Sequence, residues 1–422
     1  MDRGTTRASG GPRTAVVVGA GVVGLSTAWF LQERGVEVTV VDRHGVAAGS
    51  SWGNAGLLSP GLAVPLNEPA VLRYGLRALL DPGAPLHVPA TWNPGLWRFL
   101  LQFAARCTWG GWNRAVRANL PLNAECLEAF DVLTANGVEA PTVAAPITAV
   151  FETRSQAAGL LREFRRLSRA GQRVDYTALD GDEVRERLPQ LSERIGAGIR
   201  LDGQRFVDPG AFVASLAESV RDRGGTIRTD FDVTGTRRGR GGVTVTSSAG
   251  EDLTADATVL ATGAWLGELT RGRGLRVPVR AGRGYSFTVP TAEPVPGPMY
   301  LPDVRVACTP YRGGLRVAGT MEFREPDDAL DPARTEAIVA SARPYLTGVD
   351  WAGRTDEWVG ARPVSPDGYP LIGSVASEPD IYVAGGHGMW GLTHGPISGR
   401  MLAERITTGK PSEALRPFAP SR

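Results

Sequence analysis

"TAVVVGAGVVGLSTAWFLQERGVEVTVVD", residues 14–42, decides the architecture. It opens on a β-branched run, 14–18, of the kind that forms a buried strand. Gly19-Ala20-Gly21-Val22-Val23-Gly24 follows, a GxGxxG loop. Residues 25–34 carry helix formers with apolar positions at helical spacing, and Gly35 offers a C-cap. A second strand, 36–42, ends on Asp42. The order predicts a β-α-β dinucleotide-binding unit. The first glycine turns the chain, the second admits backbone N–H groups to a pyrophosphate, and the third seats the helix against the strand. The helix N-terminus adds partial positive charge, and the Asp42 carboxylate can accept both hydroxyls of an adenosine ribose. The loop alone leaves NAD and FAD both open.

Around this unit the chain runs to 422 residues, more than one core usually supports, so two domains are expected. Its 46 basic residues, of which only Lys410 is lysine, are balanced by 44 acids. That balance argues against nucleic acid as a partner. Cys107, Cys126 and Cys308 form no CxxC, and the four histidines show no metal-ligand spacing, so neither a disulfide framework nor a metal site is expected. No apolar run approaches the roughly 20 residues needed to cross a bilayer. Residues 1–12 lack the apolar segment of a signal peptide and read as a disordered tail. A reducing, cytoplasmic location fits.

Residues 60–94 are proline-rich and read as an irregular connection. Residues 82–124 hold no Asp or Glu, yet carry Trp92, Trp97, Trp109 and Trp112 beside Arg98, Arg106, Arg114 and Arg117. This segment reads either as an interfacial helix touching the inner membrane face, or as a helix pair packed on the body with its arginines outward. Helices are expected over 156–171 and 208–225, and alternating strands over 242–263, 276–290 and 305–323.

Three further segments speak to the cofactor: "GSSWGNAGLLSP" (49–60), "ADATVLATGAW" (255–265), and "GARPVSPDGYPLIG" (360–373) with "VAGGHGMWGLTHGPISGR" (383–400). With them the chain resembles the D-amino-acid oxidase and dehydrogenase superfamily of flavoproteins, from Val16 to about Lys410, and most closely its D-amino-acid dehydrogenase branch. The resemblance implies an α/β, two-domain flavoprotein with a Rossmann-like FAD domain (13–85, 200–270, 352–415). An antiparallel-sheet substrate domain (86–199, 271–351) would roof the flavin.

In such a fold Gly19, Gly21, Val22, Val23, Gly24, Asp42 and Arg43 would hold the ADP half, with Ser50 and Ser51 donating to phosphate. Trp52, Gly53, Asn54, Ala55, Gly56 and Leu57 would run along the isoalloxazine. Val233 would meet adenine, and Thr262, Gly263 and Trp265 would pass the cofactor. Gly386, His387, Gly388, Met389, Trp390, Gly391, Leu392 and Thr393 would face the pyrimidine end, where a helix N-terminus favours the charge of a reduced ring. The attachment residues of covalent members are replaced by Gly53 and by the stretch around Gly360, so the FAD is expected to be non-covalent.

The same resemblance places Arg362 on a substrate carboxylate, because a planar guanidinium offers two parallel donors to two oxygens. It nominates Met321, Arg305, Tyr285 and His387 as further residues of the reacting pocket. The implied reaction is hydride removal from the α-carbon of an amino acid, a D-amino acid first, with oxygen or a quinone as final acceptor. A secondary-amine substrate such as sarcosine or hydroxyproline, or a subunit of an electron-transfer complex, stays open.

Overall fold

The structure is a computed structural model that describes residues 11–78, 84–89, 92–410 and 412–422. The opening stretch forms β1 (Thr14–Val18), α1 (Val22–Glu33) and β2 (Glu37–Val41). β1 lies inside a six-stranded sheet. On one side it pairs in parallel with β2, which pairs in parallel with Thr226–Arg228. On the other it pairs in parallel with Ala257–Leu260, then Glu378–Gly385 follows in parallel and Leu371–Val375 closes the edge antiparallel.

Both faces of this sheet are covered, which is why its strands read as runs of valine rather than as alternation. On one face α1 packs with the helices Trp109–Ala135, Pro209–Asp222 and Gly391–Thr408 around Trp29, Phe130, Phe212 and Leu402. Gly399 lets the last helix approach α1 closely, since a Cβ there would stand 2.7 Å from the Ser26 backbone. On the other face the three-stranded sheet 233–255 covers Val16, Val18 and Leu260 with Val243 and Val245.

A second, larger sheet runs in the order Thr355–Val364, Arg280–Val289, Gly314–Glu322, Val306–Tyr311, Met299–Leu301, Ile147–Phe151, Ala197–Leu201 and Tyr176–Asp180. Its register decides which side chains can reach the first unit. Gly282 pairs with Arg362, Gly284 with Gly360 and Ser286 with Trp358, so all six share one face. Arg283 with Ala361 and Tyr285 with Val359 share the other. That second face is a dry core of Tyr285, Phe287, Met299, Cys308 and Val317 under the helix Pro332–Ala342. The first face meets the chain at 52–55: Ser286 Oγ donates to the Gly53 carbonyl (2.7 Å), Thr309 Oγ1 to that of Ala55 (2.7 Å) and Arg316 Nη1 to that of Trp52 (3.2 Å).

Three expectations need amendment. The strand Thr355–Val364 belongs to the large sheet and not to the dinucleotide unit, because eight of its ten residues pair along Arg280–Val289. The helix Trp109–Ala135 packs with the dinucleotide unit, because Leu122, Cys126 and Phe130 fill the core around α1. The connection after Pro60 contains a helix, Pro69–Ala78, with a proline at its start. The tail expected over 1–12 falls, up to residue 10, outside the described residues. All three cysteines are buried free thiols.

Candidate functional site

Between the two sheets lies a cleft to which four distant stretches contribute. Gly19, Gly21 and Val22 line it with Asp42, Arg43, Ser50 and Ser51. Val233, Thr262, Gly263 and Trp265 continue the wall, and Arg362, His387, Gly388, Gly391 and Leu392 complete it. The convergence is a consequence of the parallel sheet. The loops after β1, β2, Ala257–Leu260 and Glu378–Gly385 all leave the carboxyl ends of adjacent parallel strands, where open α/β sheets bind ligands.

The glycine loop has the geometry its sequence requires. Gly19 adopts φ +113°, and its N–H donates to the Val41 carbonyl at 2.8 Å. A Cβ on Gly24 would stand 1.9 Å from the Gly19 carbonyl oxygen, so the third glycine is what lets α1 close on the strand. Asp42 does more than wait for a ribose. Its carboxylate accepts from the backbone N–H of Ala20 (2.8 Å), His44 and Gly45 (2.9 Å each), bracing the loop from below. That uses three of about four acceptor sites. Ser51 Oγ accepts from the Val22 N–H at 3.1 Å and so sits at the helix N-terminus where a phosphate would be held.

The cleft fits FAD on its own terms. Thr262 Oγ1 is buried there without a partner. Gly263 (φ +58°) has nothing within 4 Å of where a Cβ would stand, so bare backbone borders the cleft at this turn. At its lip Arg43 lies 4.2 Å over the Trp265 ring, and both grip Asp327 of the second unit: Arg43 Nη2 at 2.8 Å and Trp265 Nε1 at 2.9 Å. The two units are thus latched across the dinucleotide path.

At the far end stands Arg362. Its Nη1 donates to the Thr320 carbonyl at 2.7 Å, and it forms no ion pair among the described residues. Burial lowers its pKa to about 10, which leaves it a cation at neutral pH. The guanidinium lies flat on the sheet because its neighbour is glycine: a Cβ on Gly284 would stand 2.0 Å from Arg362 Cζ. Met321 lies likewise over Gly282, at 2.3 Å by the same measure, so Met321 and Arg362 are brought onto one face. Thr320 holds φ +65° at a register shift in the strand pair. A left-handed threonine costs roughly 1 kcal/mol or more and persists only where its surroundings demand it. Here it aims a carbonyl at the guanidinium.

Other nominated residues lie elsewhere. Tyr285 does not reach the cleft: alternation turns it to the back face, where its hydroxyl donates to Glu322 at 2.6 Å. Glu322 and Arg283 are fully buried beside it. Arg305 occupies an exposed turn between Met299–Leu301 and Val306–Tyr311, with Tyr300 and Glu163 for neighbours. The Trp52 indole packs by Gly210 and 5.1 Å from the Arg316 guanidinium, away from the cleft. Trp358 is the aromatic that lies against Gly53: Cβ atoms on Gly53 and Gly360 would be 2.1 and 2.0 Å from its ring. The reading of the sequence missed Trp358, although its spacing in "WVGAR" puts 358, 360 and 362 on one strand face.

His387 borders the cleft, but its Nε2 is 2.9 Å from Ser398 Oγ inside the last helix, and burial lowers its pKa to about 4. The ring is therefore neutral. Behind it His394, lowered to about 3 by burial and by His387, meets Asn123 Oδ1 at 2.7 Å, and Asn123 donates on to Gln172. The turn Gly388–Trp390, with Met389 at its centre, opens the last helix, and Trp390 Nε1 donates to the Val64 carbonyl at 2.7 Å. Thr393 Oγ1 donates to the Leu57 carbonyl at 3.3 Å, tying that helix to the 49–57 stretch.

Comparison with known proteins agrees with this geometry. The sequence model of a family described as FAD dependent oxidoreductase (DAO) matches residues 14–405. A D-amino acid dehydrogenase of Azorhizobium caulinodans is 30% identical over 414 residues, covering 94% of this chain and 96% of that protein. One from Vibrio vulnificus is 32% identical over 410 residues, covering 94% and 97%. Among solved structures, glycine oxidase from Bacillus cereus superposes with a TM-score of 0.72 at 24% identity, covering 97% of this chain and 99% of that one.

Proposed function

This chain belongs to the family of FAD-dependent oxidoreductases, and we propose that it oxidatively deaminates an amino acid, with D-amino acids as its substrates. The observation that carries the reading is Arg362: a partly buried cation with no ion pair among the described residues, laid flat on a sheet face cleared by glycines at the end of a dinucleotide cleft. A substrate carboxylate would supply the missing charge. The D-amino acid preference is supported by the 30–32% identity to D-amino acid dehydrogenases along nearly the whole chain.

FAD, when bound, supplies the hydride-accepting centre. The residues of this chain bind and orient. Gly19–Gly24 and Ser51 present donors to the pyrophosphate, Asp42 stiffens that loop, and the N-terminus of Gly391–Thr408 faces the ring end of the cleft. Arg362 holds the carboxylate in one orientation, which fixes the direction of the α-C–H, an effect potentially worth several kcal/mol. His387 is neutral and engaged with Ser398, so no protein base is assigned to the α-proton. Met321 forms part of the side-chain wall beside Arg362.

Attachment of the cofactor is non-covalent in this reading, since the Trp358 ring covers both Gly53 and Gly360 and every cysteine is buried away from the cleft. Acid precipitation of the yellow protein should leave a colourless pellet. The deciding experiment is anaerobic mixing of the FAD-loaded protein with single D- and L-amino acids, following visible absorbance. Bleaching by one or more D-amino acids is expected. Bleaching only by secondary amines, or by nothing in the panel, would overturn the proposal.

A further inference from the structure

The back of the large sheet carries a charged cluster for which the proposed reaction has no use. Glu322 and Arg283 stand opposite one another in the strand pair, and neither side chain is exposed to any extent. The Tyr285 hydroxyl donates to Glu322 Oε2 at 2.6 Å, and Arg283 Nη2 donates to the Ala329 carbonyl at 2.8 Å. Arg283 Nη1 lies 3.9 Å from Glu322 Oε2, and Arg324 Nη1 lies 3.8 Å from Glu322 Oε1. Yet Glu322 Oε1, Arg283 Nε and Arg283 Nη1 are buried without a hydrogen bond among the described residues. The rest of this core is built from Phe287, Met299, Val317 and Ile338, and apolar side chains in place of a buried ion pair are often as stable or more so. What such a pair can secure is register.

The pair sits at the end of a bulge. Arg283 opposes Glu322 and Tyr285 opposes Gly319, so Thr320 and Met321 together face Gly284 alone. Those two residues serve the candidate site: Thr320 offers its carbonyl to Arg362 Nη1 at 2.7 Å, and Met321 lies over Gly282. A regular ladder continued from Arg283 and Glu322 would set Thr320 opposite Tyr285, relieve its φ of +65° and return its carbonyl to the sheet. The Glu322 carboxylate spans the bulge from behind, facing Arg283 at one end and holding the Tyr285 hydroxyl at the other. We propose that Glu322 is a positioning residue for Arg362: with Arg283 and Tyr285 it pins the bulge, and the bulge aims the guanidinium. This rests on the reading of Arg362 as the carboxylate anchor. Glu322 does not line the cleft, so its effect passes through one backbone carbonyl.

The test removes both charges together, Arg283→Met with Glu322→Leu, so that neither is left buried without the other. The FAD-loaded protein is mixed anaerobically with a D-amino acid that bleaches the wild type, over a range of concentrations. The paired variant should keep the bound-flavin spectrum and the thermal midpoint. Its reduction at subsaturating substrate should slow by about tenfold, within the range that a small displacement of an orienting group produces. The loss should lie in the half-saturating concentration more than in the limiting rate. In an Arg362→Leu background the same replacement should change neither quantity, because no guanidinium is left to aim; general weakening of the fold would add in full there. Glu322→Gln alone keeps the side-chain volume and removes the charge. It should show a smaller loss with the same dependence on Arg362, and it serves where the paired variant is poorly folded. Reduction of both variants like the wild type, or an equal loss in both backgrounds, would overturn the proposal. Normal reduction of Arg362→Leu by itself would instead overturn the carboxylate reading beneath it.

Discussion

The two ends of the cleft are built in different ways. The glycine-loop end is made by about thirty consecutive residues, and its working parts are backbone N–H groups, a helix terminus and one braced carboxylate. The Arg362 end is made by strands from three parts of the chain, and its working parts are side chains on one face of an antiparallel sheet. At the first end position follows from local chain geometry. At the second it follows from register, and a residue one step along the strand points into a different core. Arg362 and Tyr285 show this: both were nominated for the same pocket, and the pleat sends them to opposite faces.

The sharpest way to break the first end is Gly24→Val, whose Cβ would overlap the Gly19 carbonyl. Loss of bound flavin, and of most folded protein, is expected, read as absent visible absorbance after purification. At the second end Arg362→Leu should keep the flavin spectrum and lower the rate of anaerobic reduction by about 10²-fold or more, on the scale of removing one partner of a buried charge pair. If that variant is reduced normally, the carboxylate is bound elsewhere. Arg362→Lys should fall between, because an ammonium cannot fork.

A middle-sized effect tests the seam between the ends. Burial lowers the pKa of His387 to about 4 and, with help from His387, that of His394 to about 3, below the ordinary imidazole value of 6.5. The unfolded chain therefore binds more protons as pH falls below 6.5, and stability is full above that value and lost on going down. The slope should approach about 1.4 kcal/mol per pH unit for each ring. Denaturant unfolding between pH 7 and pH 5 should show it, and His394→Asn should remove about half. A flat profile would mean that neither ring is neutralised by burial.

Smaller still, Tyr285→Phe strands a buried carboxylate oxygen on Glu322 and should cost about 1–3 kcal/mol of stability, with reduction kinetics at saturating substrate unchanged. A kinetic defect larger than its stability loss explains would return Tyr285 to the reacting side. Least of all, Asp327→Ala removes the latch across the cleft while leaving both sheets intact. Flavin dissociation should quicken by about fivefold, the upper range for a partly exposed ion pair, in a stopped-flow or dilution assay.

How far each feature could be read beforehand tracks this contrast. GxGxxG, Asp42, the Ser50–Ser51 pair and the turn at 386–391 were legible because each lies in a short stretch whose backbone conformation its own residues dictate. The helix Pro69–Ala78 was hidden by the prolines around it, and the boundary at 352 was misplaced because the strand 355–364 carries no local sign of which sheet it will join. Trp52 read as the aromatic beside the ring, whereas Trp358 holds the space between Gly53 and Gly360. Nothing within 49–60 announces that neighbour. Thr320, left-handed at a bulge and aimed at Arg362, has no signature in sequence at all.

By itself, the sequence determined a dinucleotide unit and a two-part α/β architecture. Local sterics and hydrogen bonding act over a few residues, and those residues are adjacent in the text. Tertiary structure alone decided which side chains face the cleft, which arginine there donates to a carbonyl with no ion pair among the described residues, and which tryptophan lies against the bare backbone. Those outcomes depend on strand register and on the packing of segments hundreds of residues apart, and a shift of one residue would exchange one set of side chains for the other.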